Sequence, residues 1–338
     1  MIESLSIKNF GQIRDFRAEQ FGLLNLVIGP NGTGKTFLLK ALYSAIRTLE
    51  DFGKGDDDRT FSDILAEQLR WCFQAEKIGE LVTKGADEAL QFCMVDDKET
   101  LSYSFSGGAE KKAGNIKNDH RKREINSIFL PAKEVLSLFD IIREFATVRR
   151  KFGFDSTYLD LVNALSIAPH RGKNFSAFSK ARSSLENMLG GKADFNQSTN
   201  RWYYKEGKIK YSIGIASEGV KKISILDRLL ANDYLSKGSI IFIDEIESAL
   251  HPQAITALMD IIADLSEKMQ IQFFISTHSY HVVKKMYLLA LKSRKFTPCI
   301  SFRKNESAQI SNLAEDFPEN PIIDEAIRLY EEELAVQL

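Results

Sequence analysis

Cysteine is scarce in this chain: there are three in 338 residues, Cys72, Cys93 and Cys299, far apart in sequence. No CxxC spacing exists, so zinc or dithiol chemistry has no support, and buried thiols in a reducing compartment are expected. Long apolar runs are missing as well. None approaches the roughly 20 residues that span a bilayer, and no basic-then-apolar leader opens the chain. A cytoplasmic protein with no membrane partner is therefore expected. Charge of one sign is also lacking: 45 Lys and Arg face 46 Asp and Glu, a net charge of -1. No global field pulls such a chain onto nucleic acid, so a DNA contact would have to be a local patch or belong to a partner. Internal repeats, low-complexity tracts and long heptad arrays are absent.

What is present is ordinary for a globular protein: 44% hydrophobic and 27% charged residues. The length allows one large domain or two lobes with a sizeable core. Residues 2–9 alternate like a half-buried strand, and 23–28 read as a buried one. Helical spacing follows over 37–52 and 61–82. Residues 90–95 and 101–105 read as strands joined by the turn DDKE, and 125–130 as a strand ending at Pro131. The span 133–190 is mostly helical, broken near Pro169 and Gly172. A hairpin at 202–204 and 209–213, a helix at 220–231 and strands at 239–243 and 272–275 come next. Helices at 252–267 and 279–292, a hairpin at 298–303 and 308–312, and a helix at 321–334 complete the chain. Buried strands alternating with helices imply a largely parallel α/β sheet, and the hairpins an antiparallel subsheet beside it.

The strongest motif is GPNGTGKT, residues 29–36, between a strand and a helix. It fits the phosphate-binding loop GxxxxGK[ST]. Glycines let backbone N–H groups turn inward around phosphates. Asn31, Gly32, Thr33 and Gly34 form the cradle, Lys35 charges the outer phosphates, and Thr36 offers a hydroxyl to Mg²⁺. The helix behind it aims its positive end at the same anion.

Next is IIFIDEIE, residues 240–247, which sets Asp244 and Glu245 at the C-terminal end of a buried strand, the edge where ligands bind in parallel α/β sheets. Two acids after a strand also suit a helix cap. Paired with the loop upstream, Asp244 is expected to hold Mg²⁺ and Glu245 to orient and deprotonate an attacking water. FFISTHS, residues 273–279, ends a strand at His278, which can donate to a γ-phosphate oxygen or to that water. IASEG, residues 215–219, puts Ser217 and Gly219 at a helix start, where they serve as a cap or bind a second phosphate. The basic stretch 111–123 is either a solvated loop or a phosphate-backbone contact.

The order of these motifs resembles the ABC-type ATPases, and within them the RecF/SMC/OLD-like branch. LSIKNFGQI resembles the first strand and loop of that branch, and GPNGTGKT its Walker A. IASEG resembles a degenerate signature, IIFIDEIESALHP the Walker B and D-loop, and STHS the H-loop. The likeness covers residues 1–50 and 212–290. The C-terminal ENPIIDEAIRLYEEEL resembles compact single-chain members found beside anti-phage or toxin-like genes. The resemblance implies one P-loop NTPase head with a mainly parallel core sheet, an antiparallel β-subdomain and a helical lobe. The nucleotide-binding core would be 1–130 plus about 212–312, the helical insert 131–211, and the terminal helix 313–338. Glu245, His278 and Lys35 would be catalytic, with Phe10 near the adenine. ATP and Mg²⁺ would sit in the seam of a head-to-tail homodimer, or of a higher oligomer. Ser217 and Gly219 of one copy would reach the γ-phosphate held by Lys35 of the other.

The signature reads ASEG rather than LSGGQ, and no glutamine stands out as the Q-loop, Gln91 being the one nominated. Residues 279–338 are too few for the Toprim nuclease domain of full-length OLD proteins. The implied function is an ATP-hydrolysing switch acting on a separate effector, in anti-phage defence or a toxin-like system. The alternative is a DNA-end ATPase of the RecF kind, using the segment 111–123.

Overall fold

A computed structural model describes residues 1–145, 151–169, 175–304 and 306–337. The expected break near Gly172 lies outside them. The N-terminal strands β1 (Ile2–Phe10) and β2 (Ile13–Ala18) pair antiparallel, and β1 also pairs with β4 (Leu90–Asp96). Next to β4 lies β5 (Glu99–Phe105), then β6 (Gly114–Asn118) at the edge, which gives the sheet order β2-β1-β4-β5-β6. Asp97 and Lys98 both have positive φ between β4 and β5, as a tight hairpin turn requires.

The second sheet is the core: β7 (Ser127–Leu130), β11 (Ile240–Ile243), β12 (Gln272–Thr277), β3 (Leu24–Ile28) and β13 (Pro298–Ser301) run parallel. β14 (Gln309–Asn312) closes one edge antiparallel. Each core strand is buried on both faces and so reads as an apolar run. Ile240, Phe242 and Phe274 face one side, and Ile241, Ile243 and Ile275 the other.

The first face is covered by α1 (Lys35–Asp51), which lies between the two sheets and is buried nearly all round. Tyr43 meets Phe129 and Phe242 edge-on there. α2 (Phe61–Phe73) packs on α1. The opposite face is covered by α4 (Ser156–Ser166), α5 (Phe175–Leu189), α6 (Glu218–Ala231), α7 (Pro252–Met269) and α8 (Tyr280–Ser293). The short α3 (Phe139–Arg143) precedes this layer. A third sheet, β10-β9-β8, is built from β8 (Lys192–Asn196), β9 (Arg201–Glu206) and β10 (Ile209–Ser212). Its Trp202 and Tyr204 enter the same core as Ile241. α9 (Pro321–Gln337) ends the chain, with only Ile323 buried.

Several sequence expectations shift. The helix expected over 61–82 stops at Phe73, where Gln74 takes a left-handed conformation, and resumes as a single 3-10 turn at Ile78–Leu81. β2, β6 and β8 were not expected; each is an edge strand rich in polar residues.

Candidate functional site

Parallel strands deliver their C-terminal ends to one edge of the sheet, and β3, β11 and β12 are neighbours. Their ends carry the three motifs. The register pairs Ile243 with Ile275 and Thr277 with Ile28, so Asp244, Ser276 and the loop after Ile28 converge.

Gly29, Gly32 and Gly34 have φ of 147°, 76° and 103°. At Gly29 the need for glycine is also spatial, since a Cβ would lie 2.6 Å from the Phe302 carbonyl oxygen. Gly34 is the N-cap of α1, without a side-chain cap bond. Thr33 donates to the Pro30 carbonyl at 2.9 Å, while Asn31 and Gly32 are exposed at the loop tip. Lys35 folds over the loop, its Nζ donating to the carbonyls of Gly29 (2.7 Å) and Pro30 (2.9 Å). Burial pushes this amine below its usual value against the pull of Glu245, Asp244 and Glu247.

Thr36 Oγ1 donates to the Asp244 carboxylate at 2.9 Å. Ser276 Oγ donates to Asp244 Oδ1 at 2.5 Å and accepts from the Glu245 N–H at 2.9 Å. Glu245 has φ 47°, in the left-handed region. Its carbonyl accepts from Lys222 Nζ at 2.6 Å, and its side chain reaches toward solvent. His278 Nδ1 stands 3.9 Å from Glu245 Oε1 and 3.2 Å from Glu247 Oε1. Glu247 holds the H-loop backbone, accepting from Thr277 Oγ1 at 2.7 Å and from the His278 N–H at 2.8 Å. The structure thus brings Lys35, Thr36, Asp244, Glu245 and His278 to one edge. Ser276, Glu247 and Lys222 join them, although sequence reasoning had not singled them out. Ser276 and Glu247 stood inside motifs already noticed; Lys222 had no signal.

Two expectations change, and the surroundings of the basic stretch become visible. Phe10 is fully buried, with Phe37 and Phe73 at ring distances of 5.1 and 5.5 Å, so it presents no face to an adenine. Gln91 lies on β4 opposite Lys8 in the antiparallel sheet, not after a core strand as a Q-loop would. The basic stretch is largely engaged by acids of its own chain. Lys112 faces Asp63, Lys117 Asp119, His120 Glu99 and Lys122 Glu124, while Arg123 is buried on Asp96.

The signature region folds as the cap reading expected. Ser217 is the N-cap of α6, its Oγ accepting from the Val220 N–H at 3.4 Å. Gly219 packs on the loop after Glu247, where a Cβ would lie 2.9 Å from the Ala249 carbonyl oxygen. Neither residue bonds to the phosphate loop of its own chain.

The donor set fits a magnesium nucleotide. A half-buried hydroxyl and a buried carboxylate share one point beside a glycine cradle, the chemistry Mg²⁺ uses when phosphate and water supply its other oxygens. Among the described residues no three His, Cys, Asp or Glu side chains form a self-sufficient metal cage.

Fold and site together define a P-loop ATPase domain of the AAA families, with a fold like that of SMC heads. The family described as "AAA domain, putative AbiEii toxin, Type IV TA system" matches residues 96–284, and the chain belongs to it. A second family, described as "AAA ATPase domain", matches residues 1–151. An uncharacterized protein of Methanocaldococcus jannaschii is 29% identical over 173 residues, covering 46% of this chain and 75% of the relative. The ATP/GTP phosphatase of Helicobacter pylori is 20% identical over 325 residues, 84% of this chain and 87% of that protein. A crystal structure of the Smc head domain bound to the C-terminal domain of ScpA, from Pyrococcus furiosus, superposes with a TM-score of 0.54. That match has 13% identity and covers 98% of both chains. No helix among the described residues is long and apolar enough to cross a membrane.

Proposed function

We propose that this chain is an ATP-hydrolysing switch that controls a separate effector protein in an anti-phage or toxin-type system. The observation that carries the reading is the linked group Thr36–Asp244–Ser276–Glu245 at the mouth of the phosphate loop. The toxin–antitoxin description of the family supports the effector part.

In this reading the nucleotide-binding core spans 1–130 and about 212–312, and 131–211 is a helical insert. Backbone N–H groups of residues 31–34 bind the phosphates, and Lys35 leaves the Gly29 and Pro30 carbonyls for the outer ones. Thr36 and Asp244 hold Mg²⁺, which supplies charge neutralisation on the phosphate oxygens. Glu245 accepts the proton of the attacking water, and His278 donates toward the γ-phosphate. Two heads close around two nucleotides, with Ser217 and Gly219 of one copy completing the site of the other.

In segment 111–123, Lys112, Lys117, Lys122 and Arg123 each stand beside an acid of their own chain, and with a net charge of -1 over the whole chain this favours the effector reading over the DNA-end alternative. Glu245→Gln is the decisive variant. Steady-state phosphate release should fall by about 10²–10⁴-fold, nucleotide binding should persist, and ATP should trap a dimer on size-exclusion chromatography. Wild-type turnover in this variant sinks the mechanism, and a monomer in saturating ATP sinks the dimer.

A further inference from the structure

The helix α9 leaves the core with an apolar stripe that nothing covers. Ile323, Ile327, Tyr330 and Leu334 follow at steps of four, three and four residues, one face of a helix. Ile323 is buried, while Ile327, Tyr330 and Leu334 are 52%, 61% and 42% exposed. Around the stripe the charge is acidic: Asp324, Glu325, Glu331, Glu332 and Glu333 against a single Arg328. Arg328 is already held by Glu325 and Glu332 at 2.7 and 2.8 Å.

An acidic amphipathic helix is repelled by phosphate backbones and by anionic lipid surfaces. It fits a protein surface that is apolar in the middle and basic at the rim. This chain carries such a surface. Residues 280–295 contain Lys284, Lys285, Lys292, Arg294 and Lys295 and no acidic residue. Leu288 and Leu291, three apart on α8, are 51% and 40% exposed among them. Lys285 and Lys295 are paired with Asp260 and Glu267, and Lys284 sits over the rings of Tyr287 and Phe317. Lys292 and Arg294 extend the basic rim. α9 already touches α8 of its own chain, yet its stripe stays exposed, so the chain's own α8 does not cover it.

We propose that α9 of one copy docks on α8 of a second copy, and reciprocally, in a two-fold pair. The contact uses neither the phosphate loop, the acid pair nor the signature turn, so it forms without nucleotide and is separate from the ATP seam. Together the two contacts build an assembly larger than a dimer.

The test uses the full chain, freed of nucleotide with EDTA, in sedimentation velocity over a concentration series. A dimer is expected, weakening at least about tenfold between low and high salt. Ile327→Asp/Tyr330→Asp and, separately, Leu288→Asp/Leu291→Asp each yield monomers. Circular dichroism should be unchanged, since these side chains are exposed. Mixing the two variants recovers a heterodimer weaker than the wild-type pair, because one of the two reciprocal contacts, the intact α9 of one on the intact α8 of the other, is regained. A nucleotide-free wild-type monomer up to roughly 100 µM overturns the proposal. So does an α9 variant that dissociates while the α8 variant does not, or a mixture that stays monomeric; in each of those cases something other than α8 covers the stripe.

Discussion

Lys222 illustrates what a single side chain does here. It reaches from α6 to the carbonyl of Glu245, in a pocket it shares with Asp244 and Glu247. Burial pushes its amine down to about 8 from the usual 10.5, with the three carboxylates opposing that shift. The unfolded chain therefore holds more protons than the folded one between those two values. Stability contributed at this site rises as pH climbs from about 8 toward 10.5. Comparing wild type with Lys222→Met isolates the effect from other titrating groups. In urea unfolding at pH 7.5, 8.5 and 9.5, the wild type should gain on the variant with each step. A constant difference across that window is the result against it.

Other residues show how far the sequence could be read. The phosphate loop was legible because its chemistry is local: the four fixed positions of GxxxxGK[ST], Gly29, Gly34, Lys35 and Thr36, all fall within residues 29–36. Ser276 and Glu247 were not, because their importance comes from register. Only when β11 lies beside β12 does a serine at the end of one strand bridge the two acids at the end of the other.

Among the elements, α6 packs closely on the loop after β11, near the site. Helix propensity alone makes Gly219→Ala favourable by about 1 kcal/mol, since Gly219 lies within α6. Sterics oppose it. The new methyl would lie 2.9 Å from the Ala249 carbonyl oxygen and 3.2 Å from Leu250 Cδ2, and the first of these is backbone that cannot swing aside. The clash should win, with a net loss of about 1–3 kcal/mol in unfolding experiments, whereas Glu218→Ala, on an exposed side chain, should cost less than about 1 kcal/mol. Equal stability of Gly219→Ala and wild type would mean that α6 and this loop separate freely.

Buried elements were the legible ones. The core strands announced themselves as apolar runs, and α8 by its spacing. The missed strands β2, β6 and β8 lie at sheet edges, where one neighbour suffices and side chains meet solvent, so neither composition nor alternation marks them.

At the scale of the molecule, the question is what ties α4, α5 and the third sheet to the central sheet and α1. Apolar packing is continuous: Leu161, Phe178, Leu185 and Trp202 share one cluster with Ile241 and Ile275. A polar clamp joins the same parts on the other side. From α4, Asp160 accepts from Tyr43 Oη at 2.7 Å and lies 3.6 Å from Arg47 Nε; Asp155, its N-cap, accepts from Lys40 at 2.7 Å. All three partners stand on α1, the helix that begins at Lys35, so the clamp connects α4 to the helix that follows the phosphate loop. Burial raises the Asp160 carboxyl above its usual value, even with Arg47 pulling it down. The folded state thus holds its proton to higher pH than the unfolded chain, and the carboxylate costs stability as pH rises through that window. Asp160→Asn keeps an acceptor for Tyr43 and removes that cost, whereas Asp160→Ala leaves the Tyr43 hydroxyl without its partner in the interior, while Arg47 keeps Glu50 and Asp51. The alanine variant should lose about 1–3 kcal/mol at neutral pH and the asparagine variant clearly less. Denaturant midpoints measured for both at pH 5 and 7 check the order, and the gap between wild type and Asn should narrow or reverse at the higher pH. If alanine proves as stable as asparagine, the apolar cluster alone holds α4 against α1, and the clamp has no part in joining them.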